Sequence, residues 1–235
     1  TDAIIAARNI VKTYDTGTMR VEALKGIDFS VERGEMVAVM GPSGCGKSTL
    51  LSLLGLLDTW DSGRYRLAGH DVSTLGRADR ARIRNREIGF VFQSFNLISD
   101  LTVEENVALP LSYRPDISSH DTRVRVKRAL ERVGMAHRTG HFPPQLSGGQ
   151  RQRVVVARAL LSEPEVVIAD EPTTALDVTI QGQILHLLRD LQQRLGAGDP
   201  GEVVRGQPVS GAAEGAAAGE HLLVQRHRLQ DLDHG

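Results

Sequence analysis

One cysteine, three tyrosines, five phenylalanines and a single tryptophan are all that the 235 residues hold of these types. The lone thiol, Cys45, excludes an internal disulfide and fits a reducing compartment. With 4% aromatic residues, the core has to rest on Leu, Val, Ile and Ala. A dominant charge is missing too. The 28 Lys and Arg against 29 Asp and Glu leave a net charge of -1, which gives no general attraction to nucleic acid or to an anionic bilayer. No apolar run approaches the ~20 residues of a membrane-spanning helix, and the N-terminus lacks a basic-then-apolar signal pattern. The expectation is a soluble chain whose membrane role runs through a partner.

What is present is 40% hydrophobic and 24% charged residues, enough for one large core or two modest ones. Apolar runs alternate with charged, helix-like segments through residues 1–195. Residues 196–220 then turn to 13 Gly or Ala in 25, the composition of a linker. The expected division is a folded domain over 1–195 and an atypical Gly/Ala-rich tail over 196–235, outside that fold. The Ala, Gly, Arg and Pro richness of those last forty residues is that of an off-frame reading of GC-rich DNA. Within the domain, the patterns predict strands over 21–31, 36–40, 88–92 and 166–169. They also predict helices over 121–134, capped by Asp121, and over 179–195.

The strand at 36–40 runs directly into GPSGCGKST, residues 41–49, and then into an apolar helical stretch. This fits the phosphate-binding pattern G-x-x-x-x-G-K-[ST] in the strand–loop–helix context that it requires. Gly41, Pro42, Ser43, Gly44, Cys45 and Gly46 form a loop that can turn backbone N–H groups inward on phosphates, and the following helix adds its positive end. Lys47 supplies a mobile positive charge to the β- and γ-phosphates, the Ser48 hydroxyl is the natural Mg²⁺ ligand, and Thr49 continues the motif. Cys45 occupies a free position with no redox or catalytic role expected.

Two further motifs gain meaning from this loop. In VVIADEP, residues 166–172, a strand ends in two carboxylates. Asp170 is placed for the Mg²⁺ shell and Glu171 for the attacking water, as general base or water-positioner. Without a phosphate loop, such a pair would read as a solvated turn. In LSGGQRQRVVVARAL, from Leu146, Ser147 can cap a helix while Gly148 and Gly149 leave its first N–H groups uncovered, a second anion-binding helix end. Its plain reading is an ordinary capped helix with solvated arginines.

With these residues the chain resembles the nucleotide-binding subunit of an ATP-binding cassette (ABC) transporter, over about residues 4–195. The implied fold is α/β: a P-loop NTPase (RecA-like) core, an antiparallel β subdomain and a helical subdomain at about 94–158. The implied partners are a second copy or a homologous subunit, in a head-to-tail dimer holding two ATP, and transmembrane permease subunits. No nucleic acid is implied, and the expected location is cytoplasmic, on the inner face of the membrane. Ser147, Gly148, Gly149 and Gln150 would then contact the γ-phosphate held by the opposite subunit. Tyr14 matches the residue that stacks on adenine, although an ordinary packed strand tyrosine stays open. Gln93 matches the glutamine that reaches Mg²⁺ and the attacking water. Phe95, Asn96 and Leu97 become candidates for the permease contact, and Asp177, ending TALD, falls on the loop that crosses the dimer interface. Through its first two-thirds the chain looks like the lipoprotein-release and macrolide-export ATPases. IADEPTTALDVTIQGQILHLLRDLQQRLG looks more like oligopeptide importers. The exporter-like group is favoured, because its motifs include the partner-facing loop.

The departure comes after residue 195. The resemblance implies a short apolar strand between the P-loop strand and the acidic strand, ending in a histidine that holds the attacking water. The only later candidate is HLLVQRHRL, residues 221–229, with His227 in that role. Gln225 and the arginines at 226 and 228 stand where apolar, small hydroxyl and acidic residues are expected. A tail is therefore expected there, with weak catalysis; a nucleotide-binding module that turns over little is the alternative to a working ATPase.

Overall fold

The structure is a computed structural model that describes residues 3–170, apart from 16, 18, 36, 43 and 93, together with 207–208 and 221–225. Two sheets organise it. The first comprises β1 (Ala3–Asp15), β2 (Arg20–Glu32), β4 (Ser62–Leu67) and β5 (His70–Asp71), antiparallel throughout in the order β2-β1-β4-β5. Only β2 was predicted. The 3–15 stretch hides its strand period behind two register shifts near Ala7–Val11, where bulges break the alternation of faces.

The second sheet has the order β6-β7-β9-β3-β8, with β3 (Val37–Met40), β6 (Ile88–Phe92), β7 (Val166–Asp170), β8 (Gln207–Pro208) and β9 (His221–Gln225). Strands β6 and β7 are parallel, with Ile88 level with Val166 and Phe92 level with Asp170. Val37, Val39, Val166, Ile168 and Ala169 are buried, as expected of continuous apolar strands covered on both faces. The predictions at 36–40, 88–92 and 166–169 therefore hold within a residue for every described position.

Strand β9 falls within the stretch expected to be a tail. It lies between β7 and β3 and pairs with both: Leu223 is level with Ile168 on one side and Val37 on the other. Gln207 and Pro208, also assigned to the tail, pair in parallel with Val39 and Met40. The cause is hydrogen bonding. Two buried strands one position apart present facing N–H and C=O groups that cannot be left bare, and HLLVQ supplies apolar residues for the gap. The predicted helix at 179–195 lies outside the described residues, as does His227.

Five helices complete the described part: α1 (Lys47–Leu54), α2 (Arg77–Glu87), α3 (Val103–Ser112), α4 (Ser119–Arg132) and α5 (Gly148–Leu160). The predicted helix at 121–134 is α4, but its cap is Ser118, which accepts from the Asp121 N–H at 3.0 Å. Asp121 instead accepts from the Ser118 hydroxyl at 2.7 Å, so the residue read as the cap is the partner of the cap.

Apolar side chains separate into two cores. One joins the antiparallel sheet, α1 and the inner faces of β3, β6 and β7; the other joins α3, α4 and α5 to Val91, Val167 and Ala169. Helix α5 is the centre of the second core, where Val154, Val155, Val156 and Ala157 are all fully buried. It sits so close to β6 that a Cβ at Gly89 would run into the Ala159 carbonyl.

Candidate active site

The loop after β3 is shaped by glycine where it matters most. Gly46 has φ 93 and is the N-cap of α1, a left-handed conformation that costs an L-residue about 1–2 kcal/mol. A Cβ there would stand 2.7 Å from the Ala23 carbonyl oxygen. The loop thus packs against β2 at van der Waals limits and enters α1 with no side-chain cap and no acid in the first turn. The first N–H groups of α1 and its dipole are left facing the loop.

Lys47, at the first position of α1, is only 8% exposed. Its Nζ donates to the Gly41 carbonyl at 2.7 Å and the Pro42 carbonyl at 2.8 Å, and Cys45 Sγ lies 3.8 Å away. None of these partners is an anion. A buried ammonium whose partners among the described residues are all neutral is poorly compensated, and an incoming phosphate would supply the missing charge. Ser48 is exposed on the same turn. Ser43 lies outside the described residues.

Asp170 ends β7, level with Phe92, the last residue of β6. Gln93, Glu171 and Asp177 lie outside the described residues. Helix α1, which starts at the phosphate loop, touches β7, the strand that ends in Asp170. The same edge holds a residue that sequence reasoning missed. Because β9 runs antiparallel to both neighbours, its first residue, His221, is level with Asp170 and with Val39. Gln225 sits at the far end, level with Val166. A histidine position, 221, stands at this edge level with Asp170, whereas His227 lies outside the described residues. Apolar periodicity carries no strand direction, so no sequence signal distinguishes the two.

The LSGGQ segment begins α5. Ser147 is its N-cap and accepts from the Gln150 N–H at 3.3 Å, while Gln150 Oε1 accepts from the Ser147 N–H at 3.0 Å. Ser147 and Gln150 thus cap each other, and the Gly148 and Gly149 positions lack side chains to cover the first N–H groups. The Ser-x-x-Gln spacing is the signal that identifies the Gln150 role.

Downstream of Gln93, Phe95, Asn96 and Leu97 line a cavity of about 420 Å³ with Pro143, Pro144 and Arg151. A larger groove, about 780 Å³, opens between α2, β6 and α3. Phe90, Phe92 and Tyr113 line it together with Arg84, Arg114 and Arg158, and it contains none of the predicted nucleotide residues. We weigh the phosphate loop above this groove, because chemistry follows the ammonium and the open helix end.

Tyr14 is 39% exposed and is fixed from two sides. Its hydroxyl donates to Asp58 Oδ2 at 3.0 Å, and Lys12 Nζ lies 4.9 Å from its ring centroid. Lys12 pairs with Leu24, whose Cδ2 lies 3.1 Å from where a Gly46 Cβ would be. Tyr14 lies two strand residues further on, ~7 Å along β1. Burial raises the Asp58 carboxyl pKa, but bonds from Thr59, Lys12 and Tyr14 outweigh it and hold the group below its ordinary value.

The chain matches the ABC transporter family model over residues 24–174. It belongs to the ABC transporter family. As an ABC ATP-binding subunit with ATPase chemistry, the chain resembles several relatives along most of its length. It is 48% identical over 97% of its length to an uncharacterized ABC transporter ATP-binding protein of Thermotoga maritima, covering 86% of that protein. To the lipoprotein-releasing system ATP-binding protein LolD of Pseudoalteromonas translucida it is 43% identical, over 83% of each chain. To the macrolide export ATP-binding/permease protein MacB of Bradyrhizobium diazoefficiens it is 47% identical over 82% of this chain but 29% of that protein. The expected likeness to lipoprotein-release and macrolide-export ATPases is found. The match to the Thermotoga protein extends over 227 residues and so runs past residue 195. Among solved structures, the dimeric post-hydrolysis state of the ATP-binding cassette MJ0796 bound to ADP and Pi superposes with TM-score 0.73 at 41% identity, covering 81% of this chain and 83% of that one.

Proposed function

We propose that this ABC ATPase subunit closes on ATP as a head-to-tail dimer and drives export through permease subunits at the inner face of the membrane. The observation that carries the ATP site is Lys47, an ammonium 8% exposed whose partners among the described residues are two carbonyls and a thiol, set at an uncapped helix start. An ATP polyphosphate would draw Lys47 off the Gly41 and Pro42 carbonyls and onto the β- and γ-phosphates. Tyr14, already fixed by Asp58 and Lys12, offers its free face to the adenine.

Ser48 and Asp170, with Gln93, offer the hard oxygen donors that suit Mg²⁺, which when bound would neutralise charge on the β- and γ-phosphates. Glu171 orients the attacking water. The Gly148 and Gly149 N–H groups of a second copy, held open by the Ser147–Gln150 pair, would meet the γ-phosphate from the other side. ATP then binds the closed pair better than the open one, and that difference in affinity drives closure. Phe95, Asn96 and Leu97 face the permease. Export, not import, is supported by the likeness to LolD and MacB.

A second reading, a module that binds nucleotide but turns over little, is favoured by one observation. The slot where the resemblance puts a histidine-bearing parallel strand is filled by a strand of opposite direction. Binding and steady-state hydrolysis of Mg-ATP on one preparation, with Glu171→Gln alongside, separate the two. Turnover that falls at least ~1,000-fold in the variant, a barrier change of about 4 kcal/mol, supports the ATPase reading. Tight binding with negligible turnover in both proteins supports the second.

A further inference from the structure

Two arginines on α5 hold the turn that follows Gln93. Arg151 and Arg158 are seven residues apart, two helical turns, and so share a face. Arg151 stacks on the Phe95 ring, 5.4 Å to the centroid, and its Nε donates to the Leu146 carbonyl at 3.1 Å, one residue before the Ser147 cap. Arg158 reaches the same turn from the far end of the helix. Its guanidinium donates to the Asn96 carbonyl at 2.6 Å and the Phe95 carbonyl at 3.2 Å. No carboxylate partners it among the described residues.

The turn itself needs holding. Asn96 has φ 48, the left-handed region that is uncommon for a residue with a side chain. A planar guanidinium with donors on two nitrogens suits two adjacent carbonyls, which a single ammonium cannot match. Helix α5 is fully buried between these two arginines at Val154–Val156 and cannot bend independently of its ends. A shift of the Phe95–Asn96 turn is therefore transmitted to the Ser147 end of α5, and the reverse.

We propose that Arg158 is a positioning residue that, with Arg151, locks the turn after Gln93 to α5, so that the LSGGQ end is correctly aimed only when this turn is in place. This rests on the proposed head-to-tail dimer, in which the Gly148 and Gly149 N–H groups act on the partner's ATP. Arg158 touches neither nucleotide nor reacting atoms. It sets dimer closure and leaves first binding of ATP alone.

The test uses the full chain carrying Glu171→Gln, so that ATP is retained. Sedimentation measures Mg-ATP-driven dimerisation, and a fluorescent ATP analogue measures affinity at low protein concentration. Adding Arg158→Met should weaken dimerisation at least tenfold and change nucleotide affinity less than threefold, with Arg158→Lys in between. Asn96→Gly, which accepts the left-handed turn without strain, should restore part of the loss in Arg158→Met. A merely structural arginine would lower affinity and dimerisation together and gain nothing from Asn96→Gly; that result overturns the inference. So does unchanged dimerisation. If the Glu171→Gln chain itself fails to dimerise while still binding the analogue, the head-to-tail reading falls and this inference falls with it.

Discussion

Two helices of this chain begin at glycine-rich sequence, and they begin differently. At α1 the cap is Gly46 in a left-handed conformation with no side-chain bond, and the first helical residue is a buried lysine. At α5 the cap is Ser147, closed into a reciprocal box with Gln150. The first arrangement leaves the helix start short of protein partners and adds a positive charge next to the positive end of a dipole, which disfavours the empty loop. The second satisfies the cap through the protein's own side chains, with Gly148 half-buried and Gly149 buried behind it. An end built to take the main negative charge of a ligand is destabilised without it; an end built to meet that ligand from across an interface is stable alone.

The largest expected effect that would break this contrast is Gly46→Ala. The added Cβ meets the Ala23 carbonyl at 2.7 Å and the backbone is left-handed at φ 93. The loop must move to admit it, so nucleotide affinity should fall by at least tenfold, about 1.4 kcal/mol, in titrations with a fluorescent ATP analogue. Affinity within twofold of wild type would mean that the loop geometry is not what holds the phosphates. Next comes Ser147→Ala. It removes the α5 cap and should cost about 1 kcal/mol of stability in chemical denaturation, with little change in ATP affinity of the monomer. The two variants should thus separate: one chiefly loses ligand, the other chiefly loses stability. A Ser147→Ala protein as stable as wild type would erase the distinction between the two helix ends.

The difference between the ends also explains what was legible in the sequence. Gly41 to Thr49 could be read because consecutive residues encode the whole device: glycines for the turn, a lysine at the helix start, an apolar strand before it. The β7 strand ending in Asp170 and the Ser147 cap were legible for the same reason. Even α3, not predicted, carries a local signature in Thr102 and Glu105, whose capping box is closed by bonds of 2.7 Å and 3.3 Å. What could not be read is non-local. The direction of β9 depends on which strands flank it, and HLLVQ is equally apolar in either direction. The Tyr14 hydroxyl finds Asp58 across 44 positions, and Arg158 finds Asn96 across 62. Neither spacing leaves a trace in periodicity.

The smallest expected effect concerns the Tyr14 clamp, which sharpens the picture of the α1 end. Asp58 is bonded as its anion by Lys12 at 3.0 Å, by Tyr14 at 3.0 Å and by its neighbouring Thr59 N–H at 2.7 Å. Its folded pKa is below its ordinary value, so the folded state prefers the charged form. The stability this gives is complete above the unfolded carboxyl value near ~4 and is lost as pH falls through the lower folded pKa. Because Asp58 is partly solvated, screening keeps the contribution to about 0.2–1 kcal/mol. Asp58→Asn should therefore lower the melting temperature slightly at pH 7, and the gap to wild type should close below pH ~4. A gap that persists unchanged at low pH would assign the effect to packing of Asp58 and not to its charge. Loosening Tyr14 in this way should weaken ATP binding by less than about threefold, under 1 kcal/mol, because the adenine contact is one ring against the charge and N–H groups that hold the phosphates.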